Sequence, residues 1–209
     1  MTALPIVSKI QAKSLHLFGY RLNAGVCKAI RTYCEKFKNA LTKIQLDNNG
    51  MNTGDVLVEL LEGLRAQEDF KQIVIIRNAI DDRSTAIIAD MLQRAFPRCL
   101  DELRIVNCKI SHANTFKLLS VVADGSSTLK KLSLAGAQIS EQSLALLANI
   151  VAHVRSLQDL DISWNGLRPN ANMRKFMDAL GHNRSLHYLN LSWNNLMQQS
   201  AVKESPEVE

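Results

Sequence analysis

The sequence predicts an α/β solenoid in which short parallel strands line a concave face and helices cover the convex face. Leucine is the most frequent residue and occupies 29 of the 209 positions. An eleven-residue phrase, L-x-x-L-x-L-x-x-N-x-L, returns along the chain at a nearly constant interval. Between the copies, apolar residues change to the spacing of an amphipathic helix. Such strand–helix units cannot bury their apolar faces alone, so we expect them to stack into one continuous core.

The phrase occurs in six full copies and one weaker copy near the start of the chain. The copies begin at residues 12, 41, 70, 100, 129, 157 and 186, so that successive starts are 28 to 30 residues apart. The full copies read LTKIQLDNNGM (41–51), FKQIVIIRNAI (70–80), LDELRIVNCKI (100–110), LKKLSLAGAQI (129–139), LQDLDISWNGL (157–167) and LHYLNLSWNNL (186–196), and the weaker one reads AKSLHLFGYRL (12–22).

This pattern resembles the leucine-rich repeat proteins, and its long period with a helical second half resembles their ribonuclease-inhibitor-like subclass. The resemblance covers residues 12 to about 200 and implies a horseshoe-shaped arc of seven repeats. It says little about function, because the subclass includes ribonuclease inhibitor, the Ran GTPase-activating protein, actin-binding domains and many cytoskeletal or ciliary scaffolds.

The strand and the helix of each unit can be predicted from the residues of that unit. We number the phrase positions 1 to 11. Alternating apolar residues at positions 4 and 6, as in Leu132 and Leu134, predict a short strand with one buried face. Helical spacing follows in three copies. Its residues are Leu57, Leu60, Leu61 and Leu64 in the first, Phe116, Leu119 and Val122 in the second, and Leu147, Ile150, Val151 and Val154 in the third.

Position 9 predicts the turn that leaves each strand. An asparagine there, as at Asn49, Asn78, Asn165 and Asn194, places a side-chain amide where backbone groups would otherwise be buried without partners. The departures are Tyr20, Cys108 and Ala137. Cysteine is tolerated at this position in the subclass, as the resemblance implies. Because Ala137 cannot make the amide bonds, we predict a locally altered turn there.

The ends of the array are predicted to differ from its middle. Residues 1–11 form at most a short apolar N-terminal cap, residues 12–200 form the repeat domain, and residues 201–209 form a polar tail. The last copy is followed by too few apolar residues for another amphipathic helix. We expect an open C-terminal edge, covered by further chain or by a partner subunit, with a plain polar tail as the third alternative.

Catalytic and metal-binding signatures are absent from the sequence. Phosphate-binding glycine motifs, a nucleophile elbow and paired metal-ligating histidines do not occur. The four cysteines, Cys27, Cys34, Cys99 and Cys108, form no zinc-type pair, and each lies in an apolar pattern that predicts a reduced, buried thiol. We therefore expect a protein that is not an enzyme and that uses no cofactor, metal or small-molecule substrate.

The net charge of +5 is concentrated at one end. Residues 1–34 contain five Lys or Arg and no Asp or Glu, whereas the rest of the chain is balanced. This argues against a general nucleic-acid binder, although the basic end could face an acidic protein, RNA or an anionic membrane surface. No apolar run is long enough to span a membrane. We expect an intracellular protein of the cytoplasm, cytoskeleton or cilium, with a mitochondrial location as a minor alternative.

The candidate partner-binding residues lie on the strands and at their ends. The last two copies place two tryptophans at position 8 beside an acidic and amide patch, formed by Trp164, Trp193, Tyr188, Asp159, Asp161 and Asn190. Exposed Trp and Tyr are favoured at binding hot spots. The alternative is that S-W-N is a common variant of the phrase and that the indoles only cover the turn.

A second candidate surface is apolar. Val74, Ile76 and Val106, together with Ala135, fall on positions 5 and 7, which should face solvent on the concave side. A contiguous exposed apolar strip usually indicates a contact surface. The alternatives are a misread register or a shallow strip shielded by Lys and Arg stems such as those of Arg77 and Arg104.

These observations lead to two hypotheses on function. The first is a non-catalytic scaffold that binds other proteins through its concave face and open C-terminal edge, within a larger cytoskeletal or ciliary assembly. The second is a regulatory protein, either an inhibitor or a GTPase activator of the Ran type, which would use the same face against one soluble enzyme. The loop residues Asn52, Asp81, Ser111, Ser140 and Arg168 match no arrangement known for such an activator.

Overall fold

Alternating strands and helices run through the whole described chain, as the phrase pattern predicts. The computed structural model describes residues 12–38, 41–51, 54–94, 100–124 and 128–197. The predicted N-terminal cap, the C-terminal tail, Asn52 and Cys99 lie outside these residues.

Nine strands and six helices occur in the described segments. The strands are β1 (Ser14–Phe18), β2 (Lys43–Asp47), β3 (Gln72–Ile76), β4 (Ala79–Ile80), β5 (Glu102–Val106), β6 (Lys109–Ile110), β7 (Lys131–Ser133), β8 (Asp159–Asp161) and β9 (Tyr188–Asn190). The helices are α1 (Ala24–Lys36), α2 (Gly54–Arg65), α3 (Asp82–Leu92), α4 (His112–Ala123), α5 (Glu141–His153) and α6 (Ala171–His182).

Seven of these strands form one parallel sheet in the order β1-β2-β3-β5-β7-β8-β9. The register pairs equal phrase positions, so that Leu132 faces Leu103 on one side and Leu160 on the other. This confirms the predicted parallel α/β arrangement. The strands β4 and β6 form a second, two-stranded parallel sheet at positions 10 and 11, which the phrase pattern did not predict.

The core lies between the sheet and the helices. Position 4 is fully buried in the middle units, as at Ile44, Ile73 and Leu103. Leu57, Leu60, Leu61 and Leu64 of α2 are also fully buried, which confirms the helical spacing predicted there. Each helix packs on the next one along the chain, so that all the units contribute to a single core.

The predicted inward face of α4 is wrong at Phe116. The Phe116 side chain is 38% exposed, and Thr115 is buried in its place together with Leu118, Leu119 and Val122. The Thr115 hydroxyl donates to the carbonyl oxygen of Ala137 at 3.1 Å, which satisfies a polar group inside the core. Thr115 therefore faces the core, and Phe116 lies at the margin of the buried face.

Residues at the strand-to-helix loops begin the helices. Asp81, Ser111 and Ser140 are N-caps whose side chains accept from the backbone N–H three residues later. Such caps satisfy amides that have no partner within the helix. Three of the loop residues considered for a GTPase activator are therefore engaged in capping helices.

Candidate protein-binding surface

Position 8 has a left-handed backbone conformation in all seven units. Glycine and asparagine adopt this conformation readily, whereas other side chains do so at a cost of about 1–2 kcal/mol. The φ angles are 61° at Gly19, 50° at Asn48, 53° at Arg77, 50° at Asn107, 66° at Gly136, 58° at Trp164 and 57° at Trp193. The same bend therefore ends every strand of the main sheet, whichever side chain it carries.

A ladder of hydrogen bonds holds this bend in place. The backbone N–H of position 8 donates to the carbonyl oxygen of position 7 in the next unit, for example from Arg77 to Val106 at 3.0 Å and from Trp164 to Ser192 at 3.1 Å. Six such bonds link the seven units within the described residues. The conformation is thus imposed by the stacking of neighbouring units, which outweighs the preference of a single residue.

The position 9 asparagines satisfy backbone groups at the turn, as predicted, and they also bridge neighbouring units. The Asn194 Oδ1 accepts from the backbone N–H groups of Asn165 and Leu167, at 3.0 and 3.1 Å. Its Nδ2 donates to the carbonyl oxygens of Ile162 and Leu191, at 3.0 and 2.9 Å. One side chain therefore satisfies four backbone groups at the turn.

Cys108 takes over part of this role. Its thiol lies 3.4 Å from the carbonyl oxygen of Ile75 and 3.5 Å from that of Val106, so that the two acceptors share its single proton. Burial raises the pKa of this thiol to about 11, although the surrounding backbone hydrogen bonds act in the opposite direction. The thiol therefore keeps its proton at neutral pH and remains a donor.

Ala137 shows the altered turn that its side chain predicts. Its backbone N–H donates to the carbonyl oxygen of Leu134 in its own unit at 3.2 Å, and the Oδ1 of the neighbouring Asn165 accepts instead from the N–H of Ile139, also at 3.2 Å. The next residue, Gln138, is left-handed at a φ of 54°. The ladder bond from Gly136 to Ser163 is retained, so the alteration is confined to the residues after position 8.

The two tryptophans stack on each other at the end of the sheet. Their ring centroids are 4.4 Å apart and their planes are 15° from parallel. Trp164 is 55% exposed and Trp193 is 69% exposed, so the pair offers a broad aromatic surface to solvent. The predicted alignment of the two side chains is confirmed, and each occupies a left-handed position that disfavours a large side chain.

The neighbouring polar residues divide into two groups. Asp161 and Asn190 accept bonds from the backbone N–H and the hydroxyl of the serine two residues later, at distances between 2.6 and 3.1 Å. These bonds fix the strand end before each tryptophan. Asp159 is paired with Lys131 at 3.1 Å, and Tyr188 is 53% exposed. Tyr188 is therefore the other large side chain of the patch that is open to contact.

A shallow cavity of about 240 Å³ joins these residues to the middle of the concave face. Its lining includes the basic side chains of two units and the acidic ones of the next. The lining residues are Arg104, Lys131, Leu132, Ser133, Asp159, Asp161 and Tyr188. The surface near the tryptophans is therefore polar and of mixed charge, which suits a protein partner.

The predicted apolar strip is wrong at Val74. Val74 is only 5% exposed, and it lies in register between Gln45 and Arg104, whose long side chains flank it. Long polar side chains cover apolar neighbours with their stems while their polar ends stay in water. Ala135 is equally buried at 5%, and Ile76 and Val106 are half-buried next to each other. The apolar surface is thus reduced to the last two residues.

The comparison with known protein families bears on the last unit. Residues 182–198, which include β9 and Trp193, match the family model described as Leucine Rich repeat. The chain carries a leucine-rich repeat. No curated protein matches the chain. The leucine-rich repeat suggests a role in binding other proteins.

Two further observations concern the described part of the chain. None of its helices is long and apolar enough to cross a membrane. All five histidines are exposed, and Cys27, Cys34 and Cys108 are buried free thiols. The sequence pattern did not predict the left-handed conformation at position 8. The residues that indicate it are Gly19, Gly136, Asn48 and Asn107, which occupy this position in four units.

Proposed function

We propose that the protein is a non-catalytic scaffold that binds other proteins through its concave face, with the stacked pair of Trp164 and Trp193 at the centre of the contact. The observation that carries this proposal is an exposed aromatic pair held at left-handed positions. Strained residues persist where surrounding structure enforces them, and they cluster at functional sites. Large aromatic side chains with few rotatable bonds are the residues that dominate binding energies.

We further propose that all seven phrases are leucine-rich repeats of the ribonuclease-inhibitor-like subclass. Two observations support this. The seven strands pair in a register that matches equal phrase positions, and helices follow the first six of them in the described segments. The asparagine and cysteine at position 9 make equivalent bonds to the preceding unit, as between Asn165 and Leu134 and between Cys108 and Ile75.

The C-terminal edge is proposed as a second contact surface. Leu186, Leu189, Leu191 and Leu196 are only half-buried, whereas their counterparts one unit earlier, Leu157, Leu160, Ile162 and Leu167, are all at most 5% exposed. Partly covered apolar side chains gain stability when another surface packs on them. This supports a subunit of a multi-protein assembly, and we place that assembly in the cytoskeleton or cilium by resemblance to scaffolds with this repeat.

An intracellular location is part of the proposal. The three described cysteines are free and buried, and burial raises the thiol pKa of Cys27 to about 11 and of Cys34 to about 12. Proteins of reducing compartments commonly keep such thiols unpaired.

The alternative function is a regulatory repeat protein that acts on one soluble enzyme. It uses the same concave face and predicts a soluble monomer at tens of micromolar. The scaffold proposal predicts aggregation or dependence on a co-expressed partner, because the apolar edge is part of its contact. Size-exclusion chromatography with light scattering distinguishes the two.

The test of the proposal replaces both tryptophans by glycine. Glycine already stands at position 8 in two units of this chain, so Trp164→Gly with Trp193→Gly removes the aromatic surface without leaving a strained backbone. We expect proteins that the native chain captures from a cytoskeletal extract to be lost from the double variant, while its circular dichroism spectrum stays that of a folded protein.

The matched control is Phe116→Ser. Phe116 is also an exposed aromatic residue, but it lies on helix α4, away from the concave face. The control should keep the captured proteins. If the tryptophan double variant keeps them as well, the concave-face proposal is wrong, and if the control loses them equally, the contact is not specific to the tryptophan pair.

A further inference from the structure

A cleft at the opposite rim of the last two units is lined by positively charged side chains. Its volume is about 440 Å³, and Arg155, Gln158, His182, Arg184, Ser185 and His187 line it. These residues precede strands β8 and β9, whereas the tryptophans follow the same strands. The basic cleft, as we call it, is therefore separate from the tryptophan pair assigned above to protein binding.

The cleft is built from a motif that occurs in two adjacent units. His153, Arg155, Ser156 and Leu157 form H-x-R-S-L in one unit, and His182, Arg184, Ser185 and Leu186 form it in the next, 29 residues later. The leucines are position 1 of the phrase and serve the core. The histidines and arginines are exposed at both places, so the core does not account for their repetition.

Backbone bonds bring the two copies of the motif side by side. The N–H groups of His187 and Tyr188 both donate to the carbonyl oxygen of Gln158, at 2.8 and 3.1 Å. Neighbouring parallel strands are about 4.8 Å apart, which places corresponding side chains of the two units within reach of one ligand. The arginines of both units can therefore act on the same anion.

The loop that carries Arg184 is held in one conformation by its neighbour Asn183. The Asn183 Oδ1 accepts from the N–H groups of Ser185 and Leu186, at 2.9 and 2.7 Å, and its Nδ2 donates to the carbonyl oxygen of Val151 at 2.6 Å. A loop fixed in this way loses little conformational freedom when a ligand binds.

The positive charge of the cleft is not neutralised within the described segments. Six arginines between residues 31 and 104 lie within 4 Å of a carboxylate, but neither Arg155 nor Arg184 does so in the described chain. No carboxylate is among the lining residues. The His182 Nδ1 donates to the Asp178 carbonyl oxygen at 2.9 Å, so in the neutral ring the Nε2 is an acceptor and the two arginines provide the donors for an anion.

We infer that the basic cleft binds a small soluble ligand that carries a diphosphate group. The guanidinium group matches phosphate oxygens with two parallel hydrogen bonds, and one arginine from each unit provides for two phosphoryl groups. The volume of the cleft falls in the range of small-molecule sites, which is about 300–1,000 Å³. The side-chain amide of Gln158 supplies a further donor at its side.

The test is calorimetric titration of the full chain with inorganic pyrophosphate at low salt. We expect saturable binding at one site, and a loss of about tenfold in affinity for Arg155→Gln and for Arg184→Gln, because each removes a charge-assisted pair. The conservative variants Arg155→Lys and Arg184→Lys should have affinities for pyrophosphate between those of the native chain and the glutamine variants, since lysine keeps the charge but not the paired donors. Orthophosphate, with one phosphoryl group, should bind more weakly than pyrophosphate.

The control is the double variant Arg174→Gln with Lys175→Gln. Both residues are exposed on α6 outside the cleft, and the change in net charge equals that of the two arginine substitutions together. Binding that does not saturate at about 10 mM, far weaker than the micromolar range of specific ligands, overturns the inference. An equal loss of pyrophosphate affinity in the control also overturns the inference, because it shows that the anion is attracted by net charge and not by the cleft. Capture of proteins by the tryptophan pair should be unchanged in the cleft variants, so the two proposals fail independently.

Discussion

The backbone of Arg31 on α1 lies directly against Gly63 on α2, so close that a Cβ on the glycine would stand 2.7 Å from the Arg31 Cα. The first two helices therefore approach each other more closely than any residue with a side chain would permit at this point. The Arg31 side chain pairs with Glu35 on its own helix at 2.7 Å and with Glu59 on α2 at 3.3 Å.

The first prediction concerns this contact. Gly63→Ala should lower the free energy of unfolding by about 1–3 kcal/mol, because overpacking forces the helices apart and cannot be relieved by rotating a side chain. Urea denaturation followed by circular dichroism measures the change.

Its matched control is Gly181→Ala on α6. An added Cβ there meets no atom within 4 Å, so the substitution should leave stability unchanged or raise it by up to about 1 kcal/mol through helix propensity. Two alanine variants with the same effect would contradict the close approach at Gly63.

The second prediction concerns the bridging amide of the last unit. Asn194→Ala leaves the partly buried N–H groups of Asn165 and Leu167 without their acceptor. We expect a loss of about 2–4 kcal/mol in the free energy of unfolding, since each unsatisfied group costs about 1–3 kcal/mol. Amide hydrogen exchange should accelerate at Asn165 and Leu167 before it does in α2.

The neighbouring Asn195 provides the control for this measurement. It is exposed and makes no side-chain bond in the described part of the chain, so Asn195→Ala should change stability by less than about 0.5 kcal/mol. Equal losses in the two variants would show that the amide bridge contributes nothing specific.

The third prediction is a fall in stability at alkaline pH. Burial raises the pKa of the Cys27 thiol from 9.0 to about 11, so above pH 9 the unfolded chain releases a proton that the folded chain keeps. This contribution to stability is complete below pH 9 and is lost as the pH rises towards 11. It is on the order of 2 kcal/mol for one thiol.

The measurement compares Cys27→Ala with its parent in a Cys99→Ser background. Urea midpoints should fall less steeply between pH 9 and 11 in the alanine variant, because one of the three buried thiols no longer titrates. Parallel pH profiles would mean that the thiol is as accessible in the folded chain as in the unfolded one.

The fourth prediction concerns the coupling of the two indoles. Rings stacked 4.4 Å apart interact in their excited states, and the far-ultraviolet circular dichroism spectrum should contain a pair of bands of opposite sign. Trp164→Gly and Trp193→Gly should each abolish the whole pair of bands. If each variant removes only half of the signal, the indoles are not stacked in solution.

These indole variants should stay folded. Loss of the stacking contact costs about 0.5–1.5 kcal/mol, and relief of the left-handed strain offsets a similar amount. A loss well above this range would favour the purely structural alternative for the tryptophans.

Much of the fold follows from local patterns in the sequence. Alternation at positions 4 and 6 predicts the strands because a strand of this kind has one buried face, and the recurring phrase places them in register. The asparagine bonds are equally predictable, since an amide at a fixed position beside a fixed turn has few alternative partners.

The remaining features depend on contacts between units. The exposure of Val74 is decided by Gln45 and Arg104, each some 30 residues away, and Thr115 of α4 faces the core, where it bonds to Ala137. Neither contact produces a periodic pattern in the sequence from which it could be predicted. The left-handed position 8 has a weak signal in its glycines and asparagines, but the tryptophans and Arg77 conceal it.

The uniform bend at position 8 has a consequence for how such a chain changes over evolutionary time. Because the backbone there is dictated by neighbouring units, one position per unit can be exchanged between glycine, asparagine, arginine and tryptophan without rebuilding the stack. The position 8 side chains of neighbouring units follow one another at a spacing of about 5 Å, and each can be replaced without changing the backbone of the others. New recognition properties can be acquired one unit at a time, at a cost of about 1–2 kcal/mol for each side chain other than glycine or asparagine.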